Sequence, residues 1–400
     1  WCPVSRIDDL IRDLCPDGVE FHPIGEFAEL VRGHGMPKST FQDSGVNCIH
    51  YGHIYTRYGV STSHAATCVN RDYATTLTTV NPGDLVVANT SENLEDVGTA
   101  VAWLGNENAV TGGHATVIRS NQNPKYLSHY FRTPSFSNDK RRHAFGTKVI
   151  ELSAKNLARI PVPLPPLEVQ NEIARILDKF TELEAELEAE LDVRKQQYSH
   201  YLNHFFTSNA NTRMRTLRDV GLVRMCKRIT KNQTSQQGDV PFYKIRTFGG
   251  TADAYISREL YNEYKEKYHF PKPGSILISA AGTIGRAVPY DGKDAYFQDS
   301  NIVWIENDET LVLNNYLFYF YKVAKWKTDD GTIKRLYNDR LLNTTIPVPP
   351  LPEQHRIVDC LDKFDTLVND LSFGLPAEIE ARRRQYEYYR DRLLTFPEKK

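Results

Sequence analysis

A chain of 400 residues, 40% hydrophobic and 25% charged, holds enough apolar material for roughly two or three domains, and no run of about 18 apolar residues predicts a membrane span. The formal net charge of −1 hides a strong asymmetry. Segment 168–193 carries nine acidic against two basic residues, segment 353–381 seven against two, and the remainder is left at +11, which suits a chain with two kinds of partner.

The opening WCPVSRIDDLIRDL mixes acidic and apolar residues. It predicts a short N-terminal helix rather than a signal peptide. Six cysteines, at positions 2, 15, 48, 68, 226 and 360, form no C-x-x-C pair, so free thiols in a reducing cytoplasm are expected. His50 and His53, with His64 nearby, have a spacing that a metal tolerates, but scattered surface or DNA-facing histidines are the commoner outcome and no metal site is expected. Arg32, His34, Lys38, Arg57 and Tyr58 fall on expected loops of this first module. NPGDLVVANT (81–90) reads as a Pro-Gly turn followed by a buried strand. A helix is expected near 125–140. Lys140, Arg141, Arg142 and His143 then form a basic cluster, followed by Gly146-Thr147 and Lys148. Cations attract phosphates, and a glycine lets backbone approach a sugar-phosphate strand closely.

IPVPLPPLEVQNEIARILDKF (160–180) leads into a long amphipathic helix, expected over Glu168–Phe206 and about 58 Å long. Ile173, Leu177, Phe180, Leu183, Leu187, Leu191 and Tyr198 recur at spacings of three, four or seven and predict a coiled-coil seam. The glutamates at 182, 184, 186, 188 and 190 are expected to face solvent or a partner. TSNANT (207–212) is a polar, helix-breaking linker.

The same plan then runs a second time. TRMRTLRDVGLVRMC (212–226) follows the apolar spacing of VEFHPIGEFAELVRG (19–33), and KPGSILISAA (272–281) repeats the Pro-Gly turn and strand. Lys227, Lys231, Asn232, Gln233, Lys244, Arg246 and Arg286 are polar loop candidates. Arg with guanine, and Asn or Gln with adenine, are geometrically sound base contacts. GTIGR (282–286) is too short for a dinucleotide fingerprint and reads as a hairpin turn. A helix is expected near 312–326. Lys322, Lys325 and Lys327 precede Gly331-Thr332, and Lys334-Arg335 follows, a second basic cluster around a second Gly-Thr. One such cluster alone reads as a solvated helix face; two at matching places favour DNA.

IPVPPLPEQHRIVDCLDKF (346–364) closes the repeat. Pro166, Leu167, Gln170, Leu177, Asp178, Lys179 and Phe180 match Pro350, Leu351, Gln354, Leu361, Asp362, Lys363 and Phe364. Farther on, Arg194, Gln197, Tyr198 and Tyr201 match Arg382, Gln385, Tyr386 and Tyr389, with four extra residues in the second copy around Phe373-Gly374-Leu375-Pro376. That insertion is expected to interrupt or kink the helix. The second seam is Ile357, Leu361, Phe364, Leu371, Tyr386 and Tyr389. The domain division is therefore 1–160, 161–206, 207–346 and 347–400: an α+β chain with two mixed globular modules and two helical regions.

Catalytic signatures are missing. There is no phosphate-binding G-x-x-x-x-G-K-[ST] loop and no [ND]-P-P-[YF] run of an amino-methyltransferase, nor an H-E-x-x-H or G-x-S-x-G run.

The helical regions IPVPLPPLEVQNEIARILDKFTELEAELEAEL, RKQQY, RIVDCLDKFDTLVNDLSFGLP and RRRQYEYYRDRLLTF resemble those of type I restriction-modification specificity (S) subunits, most closely the IC-type branch. They mark the two helical regions, 161–206 and 347–400, which make up a quarter of the chain. The resemblance implies two target recognition domains joined by two conserved helices packed as an antiparallel coiled coil. It also implies a non-catalytic role: each domain reads one half of a split, asymmetric duplex DNA target. Two methyltransferase subunits, with S-adenosylmethionine, would methylate adenine at N6. Two motor-nuclease subunits, with ATP and magnesium, would restrict. No cofactor is expected in this chain, and the location implied is cytoplasmic. Two readings stand beside it: a coiled-coil interaction scaffold that reads no DNA, and a methyltransferase or nuclease in its own right.

Overall fold

A computed structural model describes residues 3–207, 212–328 and 334–399 of the chain. They form two compact units, Trp1–Glu188 with Glu378–Lys400, and Ala189–Ala377. Both divisions fall inside helices: the helix Leu167–Phe205 gives its first half to one unit and its second half to the other, and the helix Leu375–Leu393 is divided near its start. Each globular module thus keeps a portion of the long helix as part of its own core.

In the first unit a five-stranded sheet runs in the order Ala28–Arg32, Ala115–Ser120, Leu85–Ala88, Ala100–Trp103, Ser61–Thr62. The strand Leu85–Ala88 is buried along its whole length, as its unbroken apolar run requires. Gly83, at φ +93°, makes the turn before it. A second five-stranded sheet is ordered Phe41–Gln42, Thr67–Val69, Val46–Ile49, Ala109–Thr111, Thr78–Val80. The helical expectation near 125–140 resolves into two helices, Pro124–Tyr130 and Pro134–His143, each with a proline in its first turn and a side-chain cap, from Asn123 and Thr133.

In the second unit a four-stranded sheet is ordered Leu222–Arg224, Ile302–Glu306, Ile276–Ser279, Ala287–Pro289, beside a three-stranded sheet of Tyr255–Ile256, Val240–Tyr243 and Tyr296–Phe297. GTIGR lies in the hairpin between the antiparallel strands Ile276–Ser279 and Ala287–Pro289, with Gly282 and Gly285 at positive φ. The helix expected near 312–326 spans Asn314–Val323.

The proline runs do more than stiffen the chain. Pro161–Pro163 pairs antiparallel with Phe21–Pro23, and Thr345–Val348 with Arg213–Thr216. Proline lacks the ladder N–H, so both stay in two-stranded edge ribbons.

The long helices pair antiparallel within each unit. In the first, Phe180 stacks on Tyr389 at 5.1 Å between ring centroids, and Glu184 accepts from Arg383 at 2.9 Å. In the second, Tyr198 and Tyr201 lie against Phe364, and the Arg356 guanidinium sits 5.9 Å from the Phe205 ring. Ile173, Leu177, Tyr198, Ile357, Leu361 and Tyr386 are buried in these seams; Phe180, Leu187, Leu191, Phe364 and Tyr389 are half-buried. Glu184 and Glu188, expected to face solvent or a partner, both meet Arg383 of the returning helix.

Two leucines depart from the predicted seam: Leu183 is 44% exposed, and Leu371 is 81% exposed. The helix Leu351–Asn369 ends two residues before Leu371, and the next begins at Leu375. The Asp370 carboxylate accepts from the backbone N–H of Ser372 and Phe373, and the intervening turn swings Leu371 outward. The interruption falls where the four extra residues were located. The first helix ends at Phe205; residues 208–211 of the expected linker lie outside the described residues.

Candidate nucleic-acid interface

The prospective DNA-contacting residues are held by a joint that is built twice. In the first unit the Gln170 side chain has no exposed surface; it accepts from the Asn123 N–H at 3.1 Å and donates to the Pro165 carbonyl at 2.8 Å. In the second, Gln354 accepts from the Leu313 N–H at 2.9 Å and donates to the Pro349 carbonyl at 2.8 Å. Tyr126 donates to the Pro163 carbonyl, and Tyr316 to the Pro347 carbonyl. Asp178 accepts from Lys125 at 2.7 Å and bonds the ring of buried His129 at 3.1 Å, while the other nitrogen of that ring meets the Tyr386 hydroxyl at 2.9 Å. Burial pushes Asp178 up, but the bonds from His129 and Lys125 prevail and hold it below its ordinary value. The matching Asp362 takes the Tyr319 hydroxyl.

One predicted DNA contact belongs to internal structure instead, and a second is held in a surface ion pair. Lys140 is 4% exposed, and its Nζ donates to the carbonyls of Val97 at 2.7 Å and Glu95 at 3.0 Å. Burial pushes this ammonium down to about 8. The helix Pro134–His143 turns Lys140 inward and leaves Arg141 and Arg142 outside. Lys322 is the second case: its Nζ bonds Asp365 at 2.9 Å and the Tyr198 hydroxyl at 3.1 Å, above the ring of Phe318. The Lys140 ammonium is therefore turned away from any phosphate, whereas Lys322 stays at the surface with its charge paired to Asp365.

The remaining candidates of the first unit lie on the surface. Arg141, Arg142 and Lys148 are exposed; Arg142 pairs with Asp139 at 3.1 Å, and His143 bonds the Asp139 carbonyl at 2.8 Å. Gly146 sits at φ +139°, where a Cβ would meet the Val149 carbonyl oxygen at 1.9 Å. It belongs to a tight hairpin closed by Phe145 and Glu151, which exchange backbone hydrogen bonds at 3.0 and 2.8 Å. Arg57 is exposed, whereas Tyr58 is half-buried and its hydroxyl accepts from the Ala66 N–H at 2.8 Å.

In the second unit Lys231, Lys325, Lys327, Lys334 and Arg335 are exposed. Lys325 and Lys327 line one groove with Arg340 and Met214. Arg335 bridges to Ala281 through its backbone. Lys244 and Arg246 both pair with Asp253, so each is partly neutralised in place. Gly331 and Thr332 lie outside the described residues.

The histidines form an aromatic cluster. His50 is buried against Phe41, Tyr51 and His53, and its Nδ1 accepts from the Gly52 N–H at 3.2 Å. Burial, then the charges of His53, Lys38 and His114, push it down to about 4. Among the described residues, no group of three or more His, Cys, Asp or Glu is placed to hold a metal ion. Cys15, Cys48, Cys68, Cys226 and Cys360 are free, and no described helix is long and apolar enough to cross a membrane.

Sequence reasoning missed the polar joint and the hairpin's apolar flanks. The joint had a signal: Gln170 and Asp178 recur as Gln354 and Asp362, polar identities that a coiled-coil seam does not need. Phe145 and Val149, 66% and 56% exposed, had none, because exposure of a lone apolar residue is not written in a sequence.

The duplication of the chain is matched by a known family. The model of the type I restriction modification DNA specificity domain matches residues 16–193 and again residues 209–381. The chain belongs to this family. A Haemophilus influenzae protein named as a type I restriction enzyme specificity subunit is 45% identical over 392 residues, 94% of this chain and 96% of the relative. An Escherichia coli type I restriction enzyme specificity subunit is 33% identical over 260 residues, 60% of this chain and 63% of the relative. The fold is similar to that of a solved chain from a type I restriction-modification system, with a TM-score of 0.60 at 18% identity over 95% of this chain and 98% of that one. It is also similar to the S subunit of M. genitalium, with a TM-score of 0.56 at 13% identity over 94% and 96%. The chain is thus a type I specificity subunit with two tandem recognition domains and a coiled-coil helical region.

Proposed function

We propose that this specificity subunit binds a bipartite, asymmetric duplex DNA target, one half-site per unit, and carries no catalytic step itself. The observation that carries the reading is the repetition of the joint, Gln170 with Tyr126 and Gln354 with Tyr316. It fixes two differing modules to the helical region in the same manner. Conserving the mount while varying the module is what a reader of two unrelated half-sites needs. Exposed cations on both modules, Arg141 and Lys148, Lys231, Lys325 and Lys327, supply phosphate contacts.

The partners in this reading are two methyltransferase subunits and two motor-nuclease subunits. S-adenosylmethionine, ATP and magnesium belong to them, and the product is N6-methyladenine; the assembly works in the cytoplasm. The acidic faces of the helical regions suit protein partners better than DNA.

The test is duplex binding by the complex with its methyltransferase partner, measured across salt. A steep fall of affinity with salt supports the reading. Absent or salt-insensitive binding favours an interaction scaffold, and methyl transfer by the purified chain alone favours an enzyme.

A further inference from the structure

Phe145 and Val149 flank a hairpin tip at 66% and 56% exposure, against the usual preference for covering large apolar side chains. Their positions are fixed. Beyond the paired backbone of Phe145 and Glu151, Glu151 continues into a ladder with Thr90, and its carboxylate lies 3.4 Å from Arg32. Leu152, fully buried, anchors the strand behind it. Gly146 has no room for a Cβ, so this tight turn requires glycine. Lys148 is in the tip, and Arg141 stands on the last turn of the preceding helix.

Val149 also borders a cavity of about 270 Å³ lined by Tyr51, Tyr55, Ser91, Glu92, Asn93 and Asp96, whose carboxylates can accept only from a donor such as the cytosine amino group. Hydrogen-bonding groups, carboxylates among them, therefore border the apolar edge at Val149, and the exposed cation Lys148 precedes it in the same loop. A DNA groove offers the same sequence: phosphates at its walls, polar base edges on its floor, and apolar thymine methyls or base faces among them. A protein partner's apolar patch is matched better by a surface whose core is depleted in charge.

We propose that the hairpin Phe145–Glu151 enters the groove of the duplex, with Phe145 and Val149 against bases and Lys148 and Arg141 against the flanking phosphates. Phe145 and Val149 then determine bases read by the first unit. This inference rests on the DNA-reading function proposed above and adds the element that does the reading.

The experiment compares wild type, Phe145→Ala, Val149→Ala and Lys148→Ala, each assembled with the methyltransferase subunit, by N6-methyladenine mapping and by duplex binding across salt. The two apolar variants are expected to relax one or two base positions in one half-site and leave the other half-site unchanged. Affinity for the wild-type target should fall about tenfold or more, with the salt slope unchanged. Lys148→Ala should weaken all sequences alike and reduce the slope by about one. Because both apolar side chains are exposed, thermal melting should match wild type. The inference is overturned if both apolar variants methylate the wild-type motif with wild-type affinity. It is equally overturned if they lose association with the methyltransferase subunit in the absence of DNA, which would mark a protein contact. Failure of the proposed function is a different result: wild type itself would show no salt-dependent duplex binding.

Discussion

Gln170 and Gln354 make the same pair of hydrogen bonds in the two units: each accepts from the backbone N–H at the start of a module helix and donates to the carbonyl of a proline five residues earlier in the chain. Both side chains are fully buried. A buried amide in such a position is costly to leave half-satisfied. Replacing Gln170 or Gln354 with Ala strands a backbone donor and a carbonyl, and is expected to destabilise the unit concerned by about 1–3 kcal/mol. Denaturant unfolding of the single variants measures this, and comparable losses from the two sites are expected. A negligible loss at either site contradicts the shared joint.

The two leucines of the second helical region should behave oppositely. Leu361 has no exposed surface and Leu371 is 81% exposed. Leu361→Ala is expected to cost about 2–5 kcal/mol, and Leu371→Ser to stay within about 0.5 kcal/mol. Thermal melting of the pair distinguishes the observed turn from a continuous seam through Leu371.

That contrast shows what a repeat makes legible and what it does not. The helix Leu167–Phe205 was evident from its apolar spacing because a period sustained over many turns has few alternative readings. The interruption before Leu375 was visible as a change of offset between the copies. Periodicity nevertheless carries Leu371 into the seam, because it continues on paper through a turn that the Asp370 carboxylate closes in space. The same limit applies to the basic clusters. Lys140 and Arg141 are adjacent letters of one charge run, yet helical geometry sends the first inward to two carbonyls and the second to the surface. Charge locates a surface segment; only the fold assigns which cation it presents.

Lys140 and Lys148 should accordingly separate in function. Lys140→Ala leaves the Glu95 and Val97 carbonyls without their donor and opens a gap beside Gly98, so the first unit should lose stability. The salt slope of DNA binding should not change. Loss of slope without loss of stability in Lys140→Ala would return that residue to the phosphate contacts. Unfolding curves and binding across salt, on one preparation, decide it.

His50 gives the first unit a pH dependence. Its folded value of about 4 lies below the ordinary 6.5 because burial, followed by the charges of His53, Lys38 and His114, disfavours the cation. Above pH 6.5 neither state is protonated there. As pH falls from 6.5 toward 4 the unfolded chain binds a proton that the native unit excludes, so stability falls. Protonation also removes the Nδ1 acceptor that caps the helix Tyr51–Thr56. His50→Asn keeps a cap acceptor without the titration. It should reduce the acid loss of stability by up to one proton's worth, leaving the losses from His53 and His129, both also lowered chiefly by burial. An unaltered pH profile in His50→Asn contradicts the assignment.

Helix length offers a further lever. Four residues inserted after Leu187 lengthen the helix by about 6 Å. The expected result is a changed gap between half-sites with both half-sites retained. An unchanged gap would show that this helix does not set the spacing.

The most direct test of the account is the methylation map of the wild-type chain with its methyltransferase subunit, read as N6-methyladenine positions by long-read sequencing. Two recognition units on one repeated joint predict a bipartite motif, two dissimilar half-sites separated by a fixed, unspecified gap. A short uninterrupted motif would contradict it, because only one unit would then be reading DNA.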